Sequence, residues 1–199
     1  MPKRLRNYPV YLAPKIHGHM NEDIPEIYDE KRNEYLDPNN IDDKIKIYKR
    51  QVKGWFLDRG SRLLRGENNG FVVIMISASY IEGVQQYIAG ETSERNSRDF
   101  FKRGLERIFS LSVDDEKLND FYKQVRCGLF HNGMSGGQVI ISNESEHPID
   151  FSQTGTIIIN PKRFLNEIRN DFNRYISLLK DVGNIDEREK FNRMFSVVQ

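Results

Sequence analysis

The chain has 199 residues, enough for one domain whose core is stable alone. Charged residues at 30% and apolar residues at 38% exclude a disordered chain and describe a folded protein with a well-solvated surface. With 30 Lys and Arg against 29 Asp and Glu the net charge is +1, so no global field draws the chain to nucleic acid, and the single Cys127 excludes an internal disulfide framework or a cysteine-rich zinc site.

The basic start has no apolar run behind it, so no signal peptide is read, and the longest apolar run, residues 71–76, is far too short to span a bilayer. A cytoplasmic protein without a membrane partner is expected. Residues 1–40 read as an irregular arm, because Pro2, Pro9, Pro14, Pro25 and Pro38 each discourage helix. Lys3, Arg4 and Arg6 form a small basic cluster in it, and His17-Gly18-His19 reads as a solvated loop, not a metal site.

Residues 41–199 read as a helical domain. The first helix, 41–65, keeps a helical apolar period through Ile45, Tyr48, Val52, Trp55 and Leu63, and Asp42 and Asp43 favour its start through the helix dipole. Asn68-Asn69-Gly70 is a turn. The next helix, 71–88, is apolar around most of its circumference at its start, which predicts the central, most buried helix. Glu82 inside it needs a partner: a structural ion pair at the rim, or Arg126 across a helix interface. A polar loop over 90–97 leads into a helix to Phe109, on which Lys102, Arg103 and Arg107 form a basic face and a candidate phosphate contact. Ser112 or Asp114 can cap a further helix over 115–130.

After Gly133 a flexible link, 134–137, is expected, then two short β-rich runs, 138–142 and 156–160, as a two-stranded hairpin or ribbon. Asn160-Pro161 makes an N-cap and first helical residue for a long helix over 161–182, and a short helix is expected over 186–196. The predicted fold is mainly α, a bundle of four or five helices with a small two-stranded β element near 138–160.

The chemistry concentrates in residues 121–132, FYKQVRCGLFHN. Arg126 presents a planar fork of donors that suits phosphate, and His131, five positions further on with four residues between, is of the residue type best suited to carry a proton near neutral pH. Such a pair can bind and cut a phosphodiester without a metal. The structural alternative pairs Arg126 with Glu82 or with helix carbonyls and places His131 at its own helix C-terminus, where a cation is favoured.

An R-x4-H motif at the end of a late helix, followed by a link and another long helix, resembles the HEPN superfamily over residues 41–182. The resemblance implies a metal-independent endoribonuclease of toxin–antitoxin or phage-defence type. In it Arg126 holds the scissile phosphate, His131 moves a proton, and Lys102, Arg103 and Asn132 contact RNA. No cofactor and no metal are expected; an antitoxin or other protein is a further expected partner. On a regular α-helix two positions five apart point about 140° away from each other. A homodimer whose two-fold axis passes near His131 and Phe130 would bring two copies of the motif together, and the resemblance implies that arrangement. Cys127 stands where active members commonly carry a polar residue, and this departure carries the alternative reading: a non-catalytic module that binds a protein or a nucleotide.

Overall fold

A computed structural model of the chain describes residues 5–197, so Pro2, Lys3 and Arg4 of the expected arm lie outside the described residues. The rest of that arm is a sheet. Strands β1 (Val10–Ala13), β2 (Ile16–Asn21), β3 (Ile24–Asp29) and β4 (Glu34–Leu36) pair in chain order as an antiparallel meander. Ile16 faces Asp29, Asn21 faces Ile24 and Tyr28 faces Tyr35. The two-residue Glu22-Asp23 turn has positive φ at both positions, 45° and 66°, the geometry whose twist suits a hairpin.

The prolines do not prevent this. Pro9 precedes β1, Pro14 sits in the turn after it and Pro38 follows β4. Pro25 lies within β3, but β4 pairs only with Ile27, Tyr28 and Asp29, so on that side the missing N–H costs no ladder bond. The fold is therefore mixed α/β, with a four-stranded antiparallel sheet and a three-stranded mixed sheet, and not a mainly α bundle with one small β element.

The described residues form two compact units, and helices α3 and α6 contribute residues to both. The first unit falls within Met1–Asp58, Tyr87–Glu91 and Arg174–Gln199. It contains the meander, helix α1 (Ile41–Gln51), a π-helical turn over Val52–Leu57, and α7 (Ile185–Met194). Asn40 caps α1, its side-chain oxygen accepting from the Asp42 and Asp43 amides at 2.8 and 3.3 Å. From α1, Gln51 donates to the Leu12 carbonyl at 2.6 Å and Arg50 to the fully buried Asp29 carboxylate at 2.5 Å. Tyr48 sits in an aromatic cluster with Tyr87, Tyr175, Phe191 and Phe195, ring centroids 4.8–6.5 Å away. Burial there pushes the Tyr87 phenol up to about 12.

The second unit spans Arg59–Gln86 and Thr92–Asn173. Its elements are most of α2 (Asp58–Leu63) and α3 (Gly70–Ala89), then α4 (Ser97–Phe109), α5 (Asp115–Phe121) and a π-helical segment over Tyr122–Asn132. Strands β5 (Val139–Ile141), β6 (Ile149–Asp150) and β7 (Ile157–Ile159) and the first part of α6 (Pro161–Lys180) complete it. Helix α3 buries Val73, Ile74, Ala78, Ile81 and Val84, but Phe71, Val72 and Met75 are exposed, so its apolar start is not covered all round as expected. Among the described helices α3 alone has the length and apolarity to cross a bilayer, yet it carries Glu82, Gln85 and Gln86 in one turn.

Gly104 lets α4 approach α3: a Cβ there would lie 2.8 Å from Ile81 Cγ2 and 2.9 Å from the Ile81 carbonyl oxygen. Phe121 stacks between Phe101 and Phe164, both at 6.2 Å. Arg107, expected on a basic face as a candidate phosphate contact, instead pairs with the buried Asp171 and donates to Gln85 at 3.2 Å, while the Tyr80 hydroxyl donates to Asp171 at 3.0 Å.

The β element is not a hairpin. Strands β5 and β7 run parallel and β6 adds antiparallel on the far side of β7, giving the order β5-β7-β6. Parallel neighbours need a crossover, and the residues between β5 and β7 supply it while contributing β6. Asn160 holds that crossover: its side-chain amide donates to the Asn143 and Ser145 carbonyls, each at 2.9 Å. The same side chain's oxygen caps α6, accepting from the Lys162 and Arg163 amides at 3.1 Å, with Pro161 first in the helix.

Candidate functional site

The motif residues do not end an α-helix. Asp114 caps α5 by accepting from the Lys117 amide at 2.8 Å, and after Phe121 the chain widens into the π-helical segment, whose bonds run from i to i+5. Gly133, with φ 69°, closes it in the left-handed conformation. The link that follows is not free. Gly128 has no side chain because the returning backbone lies on it: a Cβ would sit 2.8 Å from the Met134 carbonyl oxygen and 3.1 Å from the Gly136 nitrogen. That Gly136 amide donates to the Gln124 carbonyl at 2.8 Å, which pins residues 134–136 to the segment.

The wider helix changes the angular relation of Arg126 and His131. With about four and a half residues per turn, positions five apart differ by roughly 40°, not by the 140° of a regular α-helix. The winding therefore brings the two positions to within roughly 40° of each other around the segment within a single chain, although His131 does not line the cleft beside Arg126. The geometric need for a second copy of the motif disappears.

Arg126 is held from three sides. Its guanidinium donates to Glu82 Oε2 at 3.1 Å. It lies over the Tyr122 ring at 5.6 Å and over the Phe130 ring at 5.4 Å, residues four before and four after it. Glu82 is fixed in turn, because the Ser93 hydroxyl donates to its other oxygen at 2.7 Å, and the Ser93 amide donates to Gln86 at 3.1 Å. Ser97 reaches the Tyr122 hydroxyl at 3.3 Å. A cleft of about 210 Å³ opens beside this cluster, lined by Ser79, Glu82, Gly83, Gln86, Arg126 and Phe130 among others.

His131 is exposed on the last turn of the segment, and Phe130 beside it is 41% exposed. Cys127 is half-buried and unpaired. The side chain of Asn132 lies outside the described residues. Lys102 is engaged with Asp115 and Arg103 lies over the Phe100 ring at 4.5 Å; neither lines the cleft, so these two candidate RNA contacts are not gathered at Arg126.

Ser93, Gln86 and Tyr122 belong to the site and were not singled out by the sequence. Tyr122 and Phe130 carried a usable signal, two aromatic residues symmetrically placed about an arginine. Ser93 carried none, since a serine in a polar loop reveals its partner only when the loop folds back. Comparison with known protein families, with curated proteins and with solved structures returns no match.

Proposed function

We propose that this chain is a metal-independent endoribonuclease of the HEPN type, a toxin or phage-defence effector, acting through Arg126 and His131. The observation that supports the reading is the π-helical segment, whose wider winding brings these two positions closer around the helix axis while Glu82 and two aromatic rings orient the arginine. π-Helical turns recur at functional sites because they re-aim side chains at a cost in hydrogen-bond geometry.

The chemistry is a transesterification. The ribose 2′-oxygen attacks the adjacent phosphorus as its proton passes to a base, the P–O5′ bond breaks, and the 5′-oxygen gains a proton. The products are a 2′,3′-cyclic phosphate and a 5′-hydroxyl. His131, exposed to substrate, serves as the proton carrier for one of the two transfers. Arg126 places its positive charge where the phosphorane oxygens gather negative charge. A homodimer remains part of the proposal: exposed Phe130 and Met134 flank His131 and form the apolar surface a second copy would cover.

The test is cleavage of a generic single-stranded RNA in EDTA, with the products resolved as cyclic phosphates. Cleavage is retained under chelation and is lost in His131→Ala. Activity that vanishes on chelation, or an active His131→Ala protein, overturns the mechanism. A second reading, a binding module, is favoured by the engagement of Arg126 with Glu82; it predicts RNA or partner binding without turnover in the same assay.

A further inference from the structure

The first unit contains a cavity of about 830 Å³, within the roughly 300–1,000 Å³ span of small-molecule sites. It opens between the Pro14-Lys15 turn, the loop at Lys31, helix α1 and the end of α6, with Pro14 and Ile45 as its apolar part. Its remaining lining is overwhelmingly cationic, and only part of that charge is matched. Lys15 pairs with Glu30 at 3.0 Å, Lys46 with Asp43 at 2.8 Å and Arg50 with Asp29 at 2.5 Å. Lys31, Lys49, Lys53 and Lys180 also line it, and among the described residues no carboxylate stands within ion-pair distance of any of them. Of the two carboxylates at its edge, Asp42 is taken by Arg188 at 2.9 Å and Asp58 has a partner of its own.

Of the four lysines around this concavity Lys49 is half-buried and Lys31, Lys53 and Lys180 are exposed, so like charges gather there under partial solvent screening. Lys49, half-buried on α1, shows the effect: burial, then the positive charges of Lys180 and Lys53, hold its pKa below the ordinary lysine value. Such an arrangement suits a ligand with several closely spaced negative charges. One monoanion could not neutralise four lysines, and a carboxylate lacks the number of acceptor oxygens that ammonium groups on several sides would use.

We propose that this cavity binds a compact small molecule carrying two or more linked phosphoryl groups, a nucleoside polyphosphate or an inorganic polyphosphate, through Lys31, Lys49, Lys53 and Lys180. The site belongs to the first unit, shares no residue with the Arg126 cleft and does not depend on the ribonuclease reading. Each lysine contributes a charge-assisted contact, so its removal weakens binding by about tenfold.

The experiment is isothermal titration calorimetry of the full chain with inorganic tripolyphosphate, ATP and inorganic phosphate, each at about 50 and 500 mM salt. Tripolyphosphate or ATP should bind at least about tenfold more tightly than phosphate and weaken with salt. ATP tighter than tripolyphosphate identifies a nucleotide ligand; equal affinities identify the polyphosphate moiety as sufficient. Lys49→Gln with Lys180→Gln should weaken binding about a hundredfold and leave the melting temperature unchanged or raised, because like-charge repulsion is relieved; Lys53→Gln alone should weaken it about tenfold with the fold unchanged. Lys117→Gln, at an exposed position of α5, should bind as wild type. No heat with either polyphosphate, or undiminished binding by the double variant, overturns the proposal. So does single-stranded RNA binding that the double variant loses while neither polyphosphate binds, because the cavity would then be part of a nucleic-acid surface.

Discussion

The Glu82–Arg126 pair can be measured as a positioning contact by a double-mutant cycle. The two side chains are 16% and 24% exposed and 3.1 Å apart. That places them between exposed pairs, coupled by roughly 0.2–1 kcal/mol, and fully buried ones, whose rupture costs roughly 3–5 kcal/mol, so a coupling of about 1–2 kcal/mol is expected. Arg126→Ala also loses its stacking on Tyr122 and Phe130, roughly 0.5–1 kcal/mol each, which brings the single substitution to about 2–4 kcal/mol. For a chain of this length that is a fall in Tm of roughly 4–16 °C. His131→Ala, at an exposed position, should stay within about 0.5 kcal/mol of wild type. Urea unfolding of wild type, Glu82→Ala, Arg126→Ala and the double variant supplies the cycle. A coupling below about 0.3 kcal/mol would refute the claim that Glu82 orients Arg126. A loss of stability in His131→Ala equal to that in Arg126→Ala would refute the division between a held arginine and a free histidine.

Gly83 lines the cleft and a Cβ built on it meets nothing within 4 Å, so Gly83→Leu should fill the cleft and suppress RNA cleavage while leaving Tm unchanged or raised, as read by nuclease assay and thermal melting. Gly104→Ala should cost about 1–2 kcal/mol in urea unfolding: overpacking against the Ile81 carbonyl outweighs the gain in helix propensity. Burial raises the Asp29 carboxyl, but hydrogen bonds from Arg50 and from the Lys31 amide more than offset it and hold its pKa below the ordinary 3.8. A depressed folded pKa stabilises the protein above the unfolded value, and that contribution is lost as pH falls through the folded one. Asp29→Asn should therefore be less stable than wild type by about 2–3 kcal/mol at neutral pH, with the gap closing below about pH 4 in a pH series of unfolding curves.

What was legible in the chain was local. Apolar period, caps and stop signals place α1, α3, α4 and α6 close to where they form, because capping and amphipathicity act within a few turns. Asn40 and Asn160 cap the helices that follow them through their own side chains. The alternation Ile16-His17-Gly18-His19 was also present, with Ile16 and Gly18 buried and the histidines half-exposed, but five prolines read as breakers outweighed it. A proline is compatible with a strand wherever no neighbour asks for its N–H, and which side of β3 is unpaired at Pro25 depends on the length of β4.

Tertiary structure decided the rest, because those features depend on residues far apart in sequence. The parallel pairing of β5 with β7 rests on the fold of the crossover that Asn160 gathers, and two isoleucine-rich runs carry no direction of pairing in themselves. The arginine and histidine of the motif were visible as residue types at a spacing. Their angular relation was not, since the angle between them depends on whether the helix closes at i+4 or i+5, a choice coupled to the backbone packed on Gly128 and bonded to Gln124. The pairing of Arg126 with Glu82 was one of the alternatives the residue types allowed, and α3 and the Ser93 loop place Glu82 beside the arginine. The lysines of the first-unit cavity are spread from residue 31 to residue 180, and only folding turns a chain of net charge +1 into one concentrated field.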